Sequence, residues 1–146
     1  MRLMAATDFA LRTLMFLADD PERLFNTDEL AQTLQISRNH LQKVVQALVA
    51  GNFVRTIKGA KGGVLLARPA ADIRVGAVVR WFEEKQPIVE CFQPDGGNCT
   101  LRPRCGLKHA LSGAQEQYFS YLEDFTIADC LRPPMALARK KISHTA

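Results

Sequence analysis

The chain has 146 residues, 47% of them hydrophobic and 23% charged, proportions that exclude a disordered or fibrous protein and allow one modest core. Its formal charge is +4, yet residues 36–80 hold eight basic side chains against the single acid Asp72, a net +7 that leaves −3 for the rest. A block this basic suits a polyanion; no apolar run is long enough to span a bilayer, and Asp8 interrupts the stretch where a secretory signal would be apolar, so a cytoplasmic protein without a membrane partner is expected.

Thr7 to Ala18 is apolar nearly all round, through Phe9, Leu11, Leu14, Met15, Phe16 and Leu17, which predicts a buried helix closed by Asp20 and Pro21. Thr7 and Asp8 read most simply as its N-cap or first-turn residues. Asn26 followed three residues later by Glu29 has the spacing of a capping box, and Leu30, Ala31 and Leu34 form one face of a short second helix. Ser37 is the expected N-cap of a third helix, apolar along Leu41, Val44, Val45, Leu48 and Val49, polar along Arg38, Asn39, Gln42, Lys43 and Gln46, and stopped by Gly51.

Two β-prone runs, Phe53 to Ile57 and Val64 to Ala67, flank Lys58, Gly59, Ala60, Lys61, Gly62 and Gly63, the pattern of a hairpin with a basic, glycine-rich tip. Two short helices joined by a tight turn and followed by a basic hairpin give the order of a winged helix-turn-helix domain, whose second helix enters the major groove of double-stranded DNA. The expected fold class is therefore mainly α with a small β-hairpin wing, with the DNA-binding domain over residues 1–84. A small α+β domain with a merely solvated polar face has the same periodicity.

Val75, Val78, Val79 and Phe82 mark a further helix ending before Pro87. Residues 85–106, with Pro87, Pro94, Gly96, Gly97 and Pro103, read as a loop. Leu107, Ala110, Leu111, Ala114, Tyr118, Tyr121 and Leu122 then trace an apolar stripe on a helix of roughly four turns. Residues 107–131 are assigned to dimerisation, because a two-fold homodimer matches a palindromic operator; packing on its own domain is the other reading. Residues 132–146, with Pro133, Pro134 and the run Arg139, Lys140, Lys141, are expected to be a flexible tail.

Seven residues separate Cys91 from Cys99, and five separate Cys99 from Cys105. Such a cluster in a reducing compartment points to metal binding or redox sensing rather than structural disulfides. Zinc ribbons place cysteines in closer pairs, so the spacing leans toward an iron-sulfur cluster, of [4Fe-4S] or [2Fe-2S] type, with one ligand still to be supplied. Lys85, Arg102, Arg104 and Lys108 flank the loop and would offset the charge of such a group. A metal-free thiol switch remains open. Cys130, in the apolar run Ile127-Ala128-Asp129-Cys130-Leu131, reads as a small hydrophobe. An enzyme is not expected: the three histidines, His40, His109 and His144, are scattered and no phosphate-binding glycine loop is present.

Together, Thr7-Asp8-Phe9-Ala10-Leu11-Arg12, the start Ile36-Ser37-Arg38-Asn39-His40-Leu41, the tip Lys58 to Gly63, and Cys91, Cys99 and Cys105-Gly106-Leu107-Lys108 resemble the Rrf family of bacterial winged-helix regulators, within it most closely the nitric-oxide-sensing repressors. The resemblance covers roughly residues 1–131. It implies a homodimer that represses nitrosative-stress genes while its iron-sulfur cluster is intact and leaves DNA when nitric oxide attacks the cluster. It further implies cluster ligation by Cys91, Cys99 and Cys105 with Asp8 of the partner subunit, and DNA contact by Ser37, Arg38, Asn39, His40, Gln42 and Lys43 of the recognition helix with Lys58 and Lys61 of the wing. The first cysteine gap is wider than in some nitric-oxide sensors and nearer that of the iron-responsive rhizobial members, which makes iron or redox state the alternative signal.

Overall fold

In the computed structural model, which describes residues 3–59, 61–101 and 104–131, the first helix, α1, runs Ala5–Asp19 and buries Thr7, Ala10, Thr13, Leu14 and Leu17 at helical spacing. The expected tail, 132–146, lies outside the described residues. Asp8 is the acid of the first turn, but neither it nor Thr7 caps the helix. The Thr7 hydroxyl and the Met4 amide, the latter at 2.8 Å, both donate to the carboxylate of Glu83, so a distant acid satisfies the start of α1.

Helix α2, Thr27–Leu34, opens as its sequence predicts, with the Asn26 side chain accepting from the Glu29 amide at 2.8 Å. The reciprocal half of the capping box is replaced: the Glu29 carboxylate takes Arg23 at 2.5 Å instead. The chain leaves α2 through left-handed Gln35, φ 54°, and the Ile36 amide closes the turn on the Ala31 carbonyl at 3.0 Å. Ser37 then caps α3, Arg38–Ala50, by accepting from the His40 amide at 3.4 Å. Leu41, Val44, Val45 and Leu48 are buried, whereas Val49 stays 40% exposed. At the far end it is Asn52, φ 56°, and not Gly51 that takes the left-handed conformation. Glycine is required at 51 for space: a Cβ there would lie 2.5 Å from the Phe53 ring and 3.1 Å from that of Trp81.

Strands β1, Val54–Ile57, and β2, Gly63–Leu66, pair antiparallel with Val54 opposite Leu66 and Ile57 opposite Gly63. Phe25 adds a rung outside the hairpin by exchanging two backbone hydrogen bonds with Val64. After a 3-10 turn at Ala70–Asp72 come α4, Val75–Glu83, α5, Gly106–Glu123, and the short α6, Ile127–Cys130, which carries a complete capping box between Thr126 and Asp129. One hydrophobic core serves the whole described chain, because Phe119 of α5 and Ile127 of α6 join the leucines of α1 and α3.

The 18-residue α5 makes about five turns, one more than its stripe implied. Its buried residue is Phe119, which the stripe omits, while Leu107 and Tyr121 on the stripe are 63% and 53% exposed. One side of α5 thus packs on α4, and much of the predicted stripe faces outward. Arg80 of α4 grips both carboxylate oxygens of Glu116 at 3.1 and 2.7 Å. That hydrogen bond holds the Glu116 carboxyl below its usual range and raises Arg80, so the link is present at neutral pH and is lost as acid protonates Glu116.

A left-handed glutamine at the tight turn has a direct consequence. Replacing Gln35 by glycine removes the Cβ clash of that conformation, about 1–2 kcal/mol, against the greater chain entropy of glycine. Gln35→Gly is expected to raise stability by about 0.5–1 kcal/mol, and Gln35→Val to lower it by more. Urea denaturation at fixed protein concentration checks both signs.

Candidate nucleic-acid interface and cysteine loop

The polar side of α3 is free of the core. Ser37, Arg38, Asn39, His40, Gln42 and Lys43 are all exposed, as are Arg55 on β1 and the hairpin-tip residues Lys58 and Lys61. Because Leu41, Val44, Val45 and Leu48 bury the opposite side against the core, the polar stripe is turned outward as a rigid face rather than by a loop. Arg38 is not idle: its Nε lies 2.9 Å from the Asp28 carboxylate in the first turn of α2. The His40 ring stands 6.4 Å from that of Phe9, linking α3 to α1.

Asp8, the expected fourth ligand, is exposed on α1 and pairs with Arg12 one turn on, at 3.3 Å. Arg12 also donates to the Leu34 carbonyl at 2.6 Å, so the end of α2, immediately before the left-handed turn, is tied to the same guanidinium as Asp8. Sequence spacing shows the Asp8–Arg12 relation but not the reach to Leu34.

The cysteine loop has more order than its proline and glycine content predicts. A 3-10 turn at Glu90–Phe92 carries Cys91, and the Glu90 carboxylate accepts the Asn98 amide at 3.0 Å, drawing the chain beside Cys99 back toward Cys91. Gly96 and Gly97 are left-handed, with φ 79° and 59°, and a Cβ on Gly97 would strike the Glu90 side chain at 2.5 Å. Glu90 is the organising residue that sequence reasoning missed; an acid in a loop gives no periodic signal. Cys105 is the N-cap residue of α5, at the positive end of its backbone dipole. Lys108, in the first turn, lies 5.9 Å over the Phe92 ring, and together with Lys85 and Cys91 it lines a cavity of about 680 Å³.

Cys91, Cys99, Cys105 and Cys130 are all free thiols, half-buried. Among the described residues no three His, Cys, Asp or Glu side chains of one chain stand together as a metal site, so the structure places the three loop cysteines on one segment without gathering them at a point. The donor set nevertheless fits an iron-sulfur group: three soft thiolate donors, held on a loop edged by lysine charge. Cys130 differs in setting. It packs against the core from α6, and burial, with Asp129 nearby, pushes its thiol up and away from the thiolate that a metal needs.

No helix among the described residues is long and apolar enough to cross a membrane. The model of the Rrf2 family, described as an iron-dependent transcriptional regulator, matches residues 3–133. A curated relative, the HTH-type transcriptional regulator NsrR of Bacillus subtilis (strain 168), is 41% identical over 133 residues, which is 90% of this chain and 91% of that one. Among solved structures, T. potens IscR superposes with a TM-score of 0.70 at 20% identity, covering 90% of this chain and 86% of the other. CymR, the global cysteine regulator of B. subtilis, gives 0.69 at 22% identity over 90% and 96%. These likenesses confirm the winged-helix fold expected from the element order. By sequence and by fold, the chain belongs to the Rrf2 family of transcriptional regulators, whose partner is DNA and whose members are not enzymes.

Proposed function

We propose that this regulator is a homodimeric repressor that reads its operator with α3 and the hairpin, and that it senses nitric oxide through an iron-sulfur cluster on the cysteine loop. The observation that carries the reading is the placement of three free cysteines, Cys91, Cys99 and Cys105, on the one segment between α4 of the winged-helix half and α5. When bound, the cluster supplies a centre that a small diatomic gas attacks. The exposed side of α5, with Leu107 and Tyr121, is the surface for the second subunit.

In the dimer, Asp8 of the partner subunit would complete the ligand set. A carboxylate is a harder donor than thiolate, which makes it the more readily exchanged ligand. Drawing Asp8 into ligation takes it from Arg12, whose other bond holds the Leu34 carbonyl at the entrance to the helix-turn-helix turn. Without ligation, Asp8 would keep its pairing with Arg12. The state of the loop on one subunit is thereby felt at the recognition helix of its mate. Lys58 and Lys61 bind phosphates and so supply affinity; Arg38, Asn39 and Gln42 meet base edges and supply specificity.

Iron or redox state is the alternative signal, favoured by the seven residues between Cys91 and Cys99. The two readings part on exposure of the anaerobic protein to nitric oxide or to an iron chelator: the proposal expects operator release with the first and not the second.

Anaerobically purified protein is expected to show broad visible absorbance, lost in Cys91→Ala, Cys99→Ala and Cys105→Ala but kept, with the nitric oxide response, in Cys130→Ser. Mixing an Asp8→Ala chain with a Cys91→Ala chain tests ligation across the dimer. One of the two heterodimer sites then regains all four ligands, whereas ligation within one chain leaves both sites one ligand short. Heterodimers without a normal spectrum would refute the shared site. For the DNA face, Lys58→Ala or Lys61→Ala is expected to weaken operator and random duplex alike and to flatten the log–log salt slope by about one unit for each phosphate no longer neutralised. Fluorescence anisotropy across a salt series measures this, and an unchanged slope removes that lysine from the interface.

A further inference from the structure

We propose that Asp28 of α2 is a specificity-determining residue that orients Arg38 for a guanine and penalises DNA lacking one; the proposal rests on the reading of α3 as the recognition helix. The Asp28–Arg38 pair joins the first turns of the two helices, with Nε to Oδ1 at 2.9 Å. Both side chains are largely exposed, Arg38 at 69% and Asp28 at 64%, and an exposed pair of this kind adds little to stability. Its position carries more meaning than its strength. Arg38 is the first residue of α3, and the N-terminal residues of a recognition helix are the ones that reach base edges.

A guanidinium has one Nε–H edge and a pair of Nη groups. Asp28 stands beside the Nε edge as an ion-pair partner, which leaves the Nη pair to meet an acceptor pair such as guanine O6 and N7. That pairing can be made without breaking the bond to Asp28. Swinging Arg38 onto a phosphate instead breaks it and leaves a carboxylate facing a polyanion, at the start of the helix that crosses the DNA backbone. The neighbouring acid does not share this position, because Glu29 is engaged by Arg23 at 2.5 Å. Asp28 therefore raises the cost of sequence-independent binding more than that of binding the matching base.

The test uses the full-length, cluster-loaded dimer and an operator selected by it from a random duplex library, with each guanine changed in turn to adenine. For the wild type, one such change is expected to cost about tenfold or more in affinity, the scale of one bidentate arginine–guanine pair. Arg38→Ala removes that discrimination. Asp28→Ala cuts it several-fold and raises affinity for random duplex, and it has no further effect on discrimination in the Arg38→Ala background. Asp28→Asn, which keeps the size of the side chain but not its charge, gains random-duplex affinity and loses guanine preference as Asp28→Ala does. Full discrimination and unchanged random-duplex affinity in Asp28→Ala, with Arg38→Ala still defective, overturn the role of Asp28 alone. Unaltered discrimination in Arg38→Ala overturns the recognition-helix reading with it.

Discussion

The packing of the described residues centres on α1. It touches α2, α3, β2, α4 and α6, and its fully buried Leu14 and Leu17 each contribute about 1.5–3 kcal/mol by leaving water. Because its start is held by Glu83 at the end of α4, and its Arg12 reaches the end of α2, the helix cannot shift without disturbing both the turn before α3 and the segment that leads into the cysteine loop. Close-packed cores transmit such displacements rather than absorb them.

The sequence and the structure agree best where hydrophobic periodicity is strong. Helices α1, α3 and α4 fall within a few residues of their predicted spans, and Ser37 and Asn26 cap the helices that their side chains suit. Interactions between residues far apart in the chain were not legible. Glu83 at the start of α1, Phe25 against Val64, and Arg12 on Leu34 each join residues with no periodic relation, so nothing local announces them. The left-handed conformations of Gln35 and Asn52 were not legible for a similar reason. Glycine at 51 suggested the helix stop, yet packing against Phe53 and Trp81 is what demands it, and Asn52 takes the turn. On α5 the stripe read from spacing combined an inward and an outward side; Phe119, outside that stripe, is the anchor.

The candidate site was legible as residue types and not as geometry. Three cysteines in a short segment stand out against any background, and so does a basic hairpin tip. What the sequence hid is how each is held: Glu90 folding the loop onto the Asn98 amide, Asp28 holding Arg38, and Arg12 shared between Asp8 and the Leu34 carbonyl. These are all charged side chains on exposed surfaces, which pattern reading treats as solvated. In a protein that binds a polyanion, their positions matter through the field they set and the atoms they hold in place.

The proposed coupling runs from the state of the cysteine loop to the grip of α3 on DNA. It is tested most directly by titrating nitric oxide into the anaerobic protein–operator complex while cluster absorbance and DNA release are recorded on the same sample. Operator is expected to leave in step with the loss of absorbance, and the Cys91→Ala protein to show no change in its DNA binding over the same titration. Full bleaching with the operator still bound would contradict it.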